Sequence, residues 1–124
     1  MTIVRRVALA LLAVFFVGAG VGHFTMTDFF VSIVPPYLPS PRLLVYVSGV
    51  CEIAGGIGVL VPAQRRAAGL GLIALLIAVF PANLHMAIHP DGFVAQGIPY
   101  WSLYARLPCQ FLFIGWAWWA TRAP

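Results

Sequence analysis

Read for apolar and polar positions, the chain alternates long hydrophobic runs with short polar breaks. Four runs stand out, at about residues 7–24, 43–61, 67–88 and 100–120. Each is close to the ~20 residues with which an α-helix crosses the ~30 Å hydrocarbon core of a bilayer. The break Pro62-Ala63-Gln64-Arg65-Arg66 is too short for anything but antiparallel neighbours. The break from His89 to Pro99, HPDGFVAQGIP, is rich in turn residues. This pattern predicts a single all-α domain over residues 1–124, an integral membrane antiparallel bundle of four transmembrane helices.

Smaller signals refine these elements. Arg5-Arg6 before an apolar run also describes a signal peptide. The run continues through Phe24 and three more follow, so an uncleaved helix is expected, with Gly18 and Gly22 as a GxxxG surface for a neighbour. The connector 25–41, TMTDFFVSIVPPYLPSP, has Thr27 or Asp28 to cap a short interfacial helix whose Phe29, Phe30, Ile33 and Val34 would anchor it at the membrane surface. Pro35, Pro36, Pro39 and Pro41 then favour extended, polyproline-like chain. The connector reads as a stiff link or as a lid over the bundle mouth. In the third run Pro81 cannot bond the carbonyl of Ile77 and should kink the helix just before Asn83 and His85.

Composition makes the membrane reading firmer. The chain is 62% hydrophobic and 8% charged, roughly a third of the charged fraction of a soluble domain. So much apolar surface needs lipid to cover it. Its formal charge is +4, from seven arginines and three acidic residues. Because the arginines gather at the ends of the runs, they speak for membrane orientation rather than nucleic acid binding. Arg5, Arg6, Arg65, Arg66 and Arg122 fall on one side of the predicted bundle, which puts both termini in the cytoplasm of a bacterial-type inner membrane. Trp101, Trp116, Trp118 and Trp119 lie near the ends of the fourth run, as in interfacial belts.

Against this background one residue organises the rest. Glu52, in SGVCEIAGGIGVL, lies ten residues beyond Arg42, or about 15 Å along a helix, which places a carboxyl group near mid-bilayer. By the same helical rise His23, Asn83, His85, Arg106 and Gln110 fall in the outer half, and Arg106 and Gln110 share a face at i,i+4. Ser48, Gly55 and Gly56 share a face with Glu52, and the glycines leave room for a backbone or a ligand. A Glu52–Arg106 ion pair is expected, directly or through one water. Such a pair by itself would account for both charges, since buried charges need partners whatever the function. The alternative is a ligand pocket built from Glu52, Asn83, Arg106, Gln110, His23 and Ser48, with prolines 81 and 108 freeing carbonyls at the same level.

Other chemistry is weaker in the sequence. His85 and His89 are spaced i,i+4, but Pro90 pushes His89 out of helical geometry, so neither a metal nor a haem site is expected. Cys51 and Cys109 fall at comparable depth without a CxxC motif and read as small apolar residues rather than a redox pair. No nucleotide-binding motif and no evident nucleophile–base pair occurs, so no catalytic residue is assigned.

GHF near the end of the first run, VPPYLPSP, SGVCEIAGGIGVLVP, RRAAGLGLIALLIAVFPANLHMA, and RLPCQ followed by WAWW together resemble the DoxX-like small membrane proteins. The resemblance covers essentially the whole chain, and E-x-x-G-G is its most specific part. It implies four transmembrane helices and carries over to His23, Glu52, Asn83, Arg106, Pro108 and Gln110. Cys51, His85 and Cys109 depart from the family pattern. The resemblance further implies a membrane subunit or accessory of quinone-linked redox chemistry, working with an oxidoreductase partner or as a homo-oligomer. The alternative is a non-catalytic protein that binds a lipophilic small molecule or assists membrane-protein assembly. Transport fits less well, for lack of internal repeats.

Overall fold

The computed structural model describes residues 1–122, and these form helices without strands. Four are long: α1 (Ile3–Thr25), α3 (Pro41–Gly58), α4 (Arg65–Ile88) and α6 (Tyr100–Thr121). Two are short: α2 (Thr27–Ile33) lies between α1 and α3, and α5 (Asp91–Ala95) lies between α4 and α6. Two of the helices, α1 and α4, are long and apolar enough to cross a membrane.

Local chemistry sets the helix ends. α1 begins earlier than residue 7 because the Thr2 hydroxyl accepts from the Arg5 N–H at 3.3 Å and caps the first turn. α1 and α2 are separated by Met26 alone, and the Thr27 hydroxyl donates back to the His23 carbonyl at 2.8 Å. Thr27 therefore closes the end of α1 rather than capping α2, and Asp28 caps nothing: it pairs with Arg42 at 2.9 Å. The chain after α2 is not extended as the prolines suggest. It turns through a Leu38 N–H to Pro35 carbonyl bond and through Ser40, whose φ is 49°, and Pro41 then opens α3. A proline at the first helical position lacks only an N–H that would have no partner there. α3 ends at Gly58, before the expected Val61, and Arg65 donates to the carbonyls of Val59 and Leu60 just beyond it. The loop after α4 is partly helical because α5 forms within it.

The long helices pack as a closed ring, α1 on α3, α3 on α4, α4 on α6 and α6 on α1. Neighbours run antiparallel: Gly58 meets Ala68 and Gly55 meets Leu72 across α3 and α4, while Gly69 meets Thr121 across α4 and α6. The start of α1 and the end of α6 therefore lie at the same end of the ring. That end holds an apolar core built around Leu12, Phe16, Val59, Leu72 and Ala117. The Trp116 indole donates to the Ala8 carbonyl at 3.1 Å and ties α6 to α1 there. A smaller cluster of Met86, Phe93 and Leu103 lies at the opposite end.

The α1–α3 seam is the closest. A Cβ built on Gly20 would lie 2.7 Å from the Gly49 carbonyl oxygen, and one on Gly56 would lie 3.1 Å from the Ala13 carbonyl oxygen. Small residues let two backbones approach in this way. The expected GxxxG pair does not serve this contact. Gly18 meets nothing within 4 Å, and Gly22 meets only Phe30 at 3.8 Å. The buried stripe of α1 runs Leu9, Leu12, Ala13, Phe16, Gly20 and His23, which leaves Gly18 on the outer face.

Candidate functional site

Between the apolar core and the far end, the packing of the helices leaves a space. A cavity of about 420 Å³ lies there, lined by His23 of α1, Phe30 and Ile33 of α2, Ser48 and Glu52 of α3, Asn83 of α4 and Arg106 of α6. Most of its wall is apolar, as is usual for small-molecule sites. Val34, Pro35 and Leu38 of the connector complete it, and Pro35 is fully buried. The connector is thus one wall of the cavity. Its Phe30, Ile33 and Val34 face inward rather than anchoring an interface.

The helix faces explain which polar groups meet. On α3 the buried stripe is Val45, Gly49, Glu52 and Gly56, spaced by four, three and four residues, and this is the stripe that packs on α1. Glu52 therefore faces α1. Its Oε2 lies 3.4 Å from His23 Nδ1, while that nitrogen makes a shorter contact of 2.7 Å with the Ala19 carbonyl. A carbonyl can only accept, so the contact with Ala19 puts the hydrogen on Nδ1. The His23 ring in turn stacks on Phe30, with centroids 4.1 Å apart and planes 18° from parallel. Glu52 is 9% exposed, and its Oε2 is fully enclosed without a hydrogen-bond partner among the described residues. An enclosed polar atom with no partner is uncommon in native proteins and calls for an explanation such as a bound group.

No direct Glu52–Arg106 bridge is formed among the described residues. The described contacts between acidic and basic side chains are His23–Glu52 and Arg42–Asp28. Arg106 lines the same cavity, and its side-chain contact is with Met86 Sδ at 3.9 Å, a weak acceptor. The reason is rotational: α6 packs on α4, whereas the Glu52 stripe of α3 packs on α1. Asn83 Nδ2 donates to Gln110 Oε1 at 3.1 Å. Gln110 is buried behind Asn83 and does not line the cavity, so five of the six candidate residues reach it. Gly55 and Gly56 leave no space for a ligand. Gly55 takes the Leu72 side chain and Gly56 the backbone of α1.

A family model described as a domain of unknown function, DUF8561, matches residues 12–121. The chain belongs to the DUF8561 family. No curated protein and no solved structure matches it. The DUF8561 match takes in the whole cavity wall, including His23, Glu52 and Arg106.

The remaining residues of the wall bear on access. Leu44, Val47 and Cys51 of α3 and Ala78 of α4 line the cavity and are also exposed on the flank of the ring. The cavity thus continues to the apolar flank between α3 and α4, while the connector walls it toward the far end. Cys51 and Cys109 are free and exposed, so the two thiols form no disulfide. The His85 and His89 rings lie 4.7 Å apart and away from the cavity, and among the described residues no group of three or more His, Cys, Asp or Glu side chains could hold a metal. Sequence reasoning missed the connector residues Phe30, Ile33 and Leu38 as cavity wall. It also missed Gly49, although Gly49 and Gly56 stand three residues before and four after Glu52 and share its helical face.

Proposed function

We propose that this chain is a DoxX-like integral membrane protein with four antiparallel transmembrane helices, both termini being cytoplasmic in a bacterial-type inner membrane. Its cavity binds the polar head of a lipophilic small molecule, a quinone, for a membrane redox complex in which the chain is a subunit or accessory. Several features support the membrane part. The outer face of α4 carries Leu70, Ile77, Leu84 and Ile88, all exposed at spacings of seven, seven and four. Exposed apolar stripes of this kind mark contact with lipid or protein. The arginines of the termini end stack on interfacial aromatics, Arg122 over Trp118 at 3.7 Å and Arg5 over Trp119 at 4.9 Å.

One observation carries the ligand: the Glu52 carboxyl stands in the wall of a mostly apolar cavity, with one oxygen enclosed and lacking a hydrogen-bond partner among the described residues. A purely structural bundle would lose stability by keeping such a group, by about 1–3 kcal/mol or more for a charged one. The opening on the flank suits a molecule that is dissolved in the bilayer. The test is to purify the protein in mild detergent, extract the bound lipids and identify them by mass spectrometry. An isoprenoid quinone is expected with the wild type and should be lost from the Glu52→Gln, Arg106→Gln double variant. If that variant folds and retains the molecule in full, the polar cluster is structural and the reading is wrong. A wild type that carries no quinone but co-purifies a partner subunit in stable stoichiometry would favour the assembly role.

A further inference from the structure

The end of the ring opposite the start of α1 carries a pair of side chains that the cavity does not use. His85 sits in the last turn of α4, and His89 is the residue that closes that helix. Pro90 does draw His89 out of helical geometry, to φ −122° and ψ 67°, but the His89 N–H still donates to the His85 carbonyl at 2.9 Å. The two residues therefore keep the i,i+4 relation that sets side chains one above the other on a helical face. Their ring centroids lie 4.7 Å apart, with the planes at 49°. His85 is half-buried, and its ring stands nearly perpendicular to that of the buried Phe93 at 6.4 Å, while His89 is exposed. Of the three histidines, His23 alone is hydrogen-bonded through its ring among the described residues. The ring nitrogens of His85 and His89 are uncommitted.

Two imidazoles with free nitrogens on one helical face can chelate a metal ion. Nitrogens bound at ~2.0–2.1 Å to a tetrahedral ion stand about 3.3 Å from each other, and rings whose centroids are 4.7 Å apart can present nitrogens at that separation. Neutral imidazole suits Cu²⁺, Ni²⁺ and Zn²⁺, whereas Ca²⁺ and Mg²⁺ ask for oxygen ligands. We propose that His85 and His89 form a chelating site for a divalent transition-metal ion of this imidazole-preferring class, at the end of α4, with water filling the remaining positions. Among the described residues no third His, Cys, Asp or Glu side chain joins them. The ion is therefore held by two protein ligands and stays open to exchange. This makes it a capture site, unlike the closed four-ligand kind that holds a fold together. Neither histidine lines the cavity, so the site does not depend on what the cavity binds.

The experiment is a calorimetric titration of the wild-type protein in detergent, purified without a polyhistidine tag. Its thiols are alkylated first, because Cys51 and Cys109 are free and exposed and would compete for the metal. The probes are Zn²⁺, Ni²⁺ and, as the oxygen-seeking control, Ca²⁺. Zn²⁺ and Ni²⁺ are each expected to bind one ion per chain with micromolar affinity, and Ca²⁺ to give no binding. His85→Gln and His89→Gln, which keep a polar side chain at each position, should each weaken Zn²⁺ by about tenfold or more, since a single imidazole cannot chelate. A second readout needs no variant: saturating Zn²⁺ should protect both histidines of the wild type from acylation by diethyl pyrocarbonate, located by peptide mass spectrometry. Zn²⁺ affinity no better than millimolar overturns the site. Full-strength binding that survives either substitution overturns it too, because the ligand would then be one imidazole or another group. Equal reactivity of the two rings with and without Zn²⁺ has the same force, and Ca²⁺ binding as tightly as Zn²⁺ overturns the assigned class of ion.

Discussion

Substituting Gly20 by alanine tests the packing on which the site depends. The new Cβ would stand 2.6 Å from Ile53 Cγ1 and 2.7 Å from the Gly49 carbonyl oxygen. A side chain can give way, but a backbone oxygen inside a helix cannot, so α1 and α3 must separate. Overpacking of this kind costs about 1–3 kcal/mol, and replacing a mid-helix glycine by alanine returns about 0.5–1 kcal/mol. A net loss centred on about 1 kcal/mol, and at most about 2.5 kcal/mol, follows. Gly18→Ala is the matched control, because a Cβ there meets nothing within 4 Å. It should be neutral or stabilising by up to ~1 kcal/mol. The assay is equilibrium unfolding of detergent-solubilised protein by a denaturing detergent, followed by far-ultraviolet circular dichroism. The same seam carries His23, whose Cβ lies 2.8 Å from a Cβ built on Gly49, so Gly20→Ala should also weaken ligand binding. Ile53→Ala should rescue the first clash and leave the second. If Gly18→Ala is as damaging as Gly20→Ala, or if both are neutral, the packing face assigned to α1 is wrong.

Three further outcomes are expected. Asn83→Leu should cost about 1–3 kcal/mol by stranding the Gln110 amide, and a double-mutant cycle with Gln110→Leu should recover part of that loss; strict additivity would mean that the bond seen at 3.1 Å is not made. In unfolding cycles on ligand-free protein, Glu52 should couple more strongly to His23 than to Arg106, and the reverse order would restore the ion pair expected from helical rise. Reporter fusions at Ala63 and Gly92 should report opposite compartments, with Gly92 outside, and a shared compartment would refute the four-span topology.

The sequence by itself determined the helices, because apolar runs, prolines and arginines act locally. The ends of the four long helices agree with the apolar runs to within about four residues, and the departures come from single residues: Thr2 capping α1, Pro41 opening α3, and Gly58 ending it ahead of Pro62. It also determined position along each helix, because a helix rises a fixed ~1.5 Å per residue, and so it put His23, Glu52, Asn83, His85, Arg106 and Gln110 in one half of the bundle, although His85 and Gln110 do not line the cavity. Rotation about the helix axis was not accessible in this way. Rise says how far along a helix a side chain lies, but which neighbour it faces depends on how four helices pack together. That packing turned Glu52 toward His23 on α1 and Arg106 toward Met86 on α4, and it set Gly20, rather than Gly18 and Gly22, in the seam. It also folded the proline-rich connector inward, so that Phe30 and Pro35 became walls of the cavity. These are contacts between segments distant along the chain, and the tertiary structure decided them because each depends on where every other helix stands.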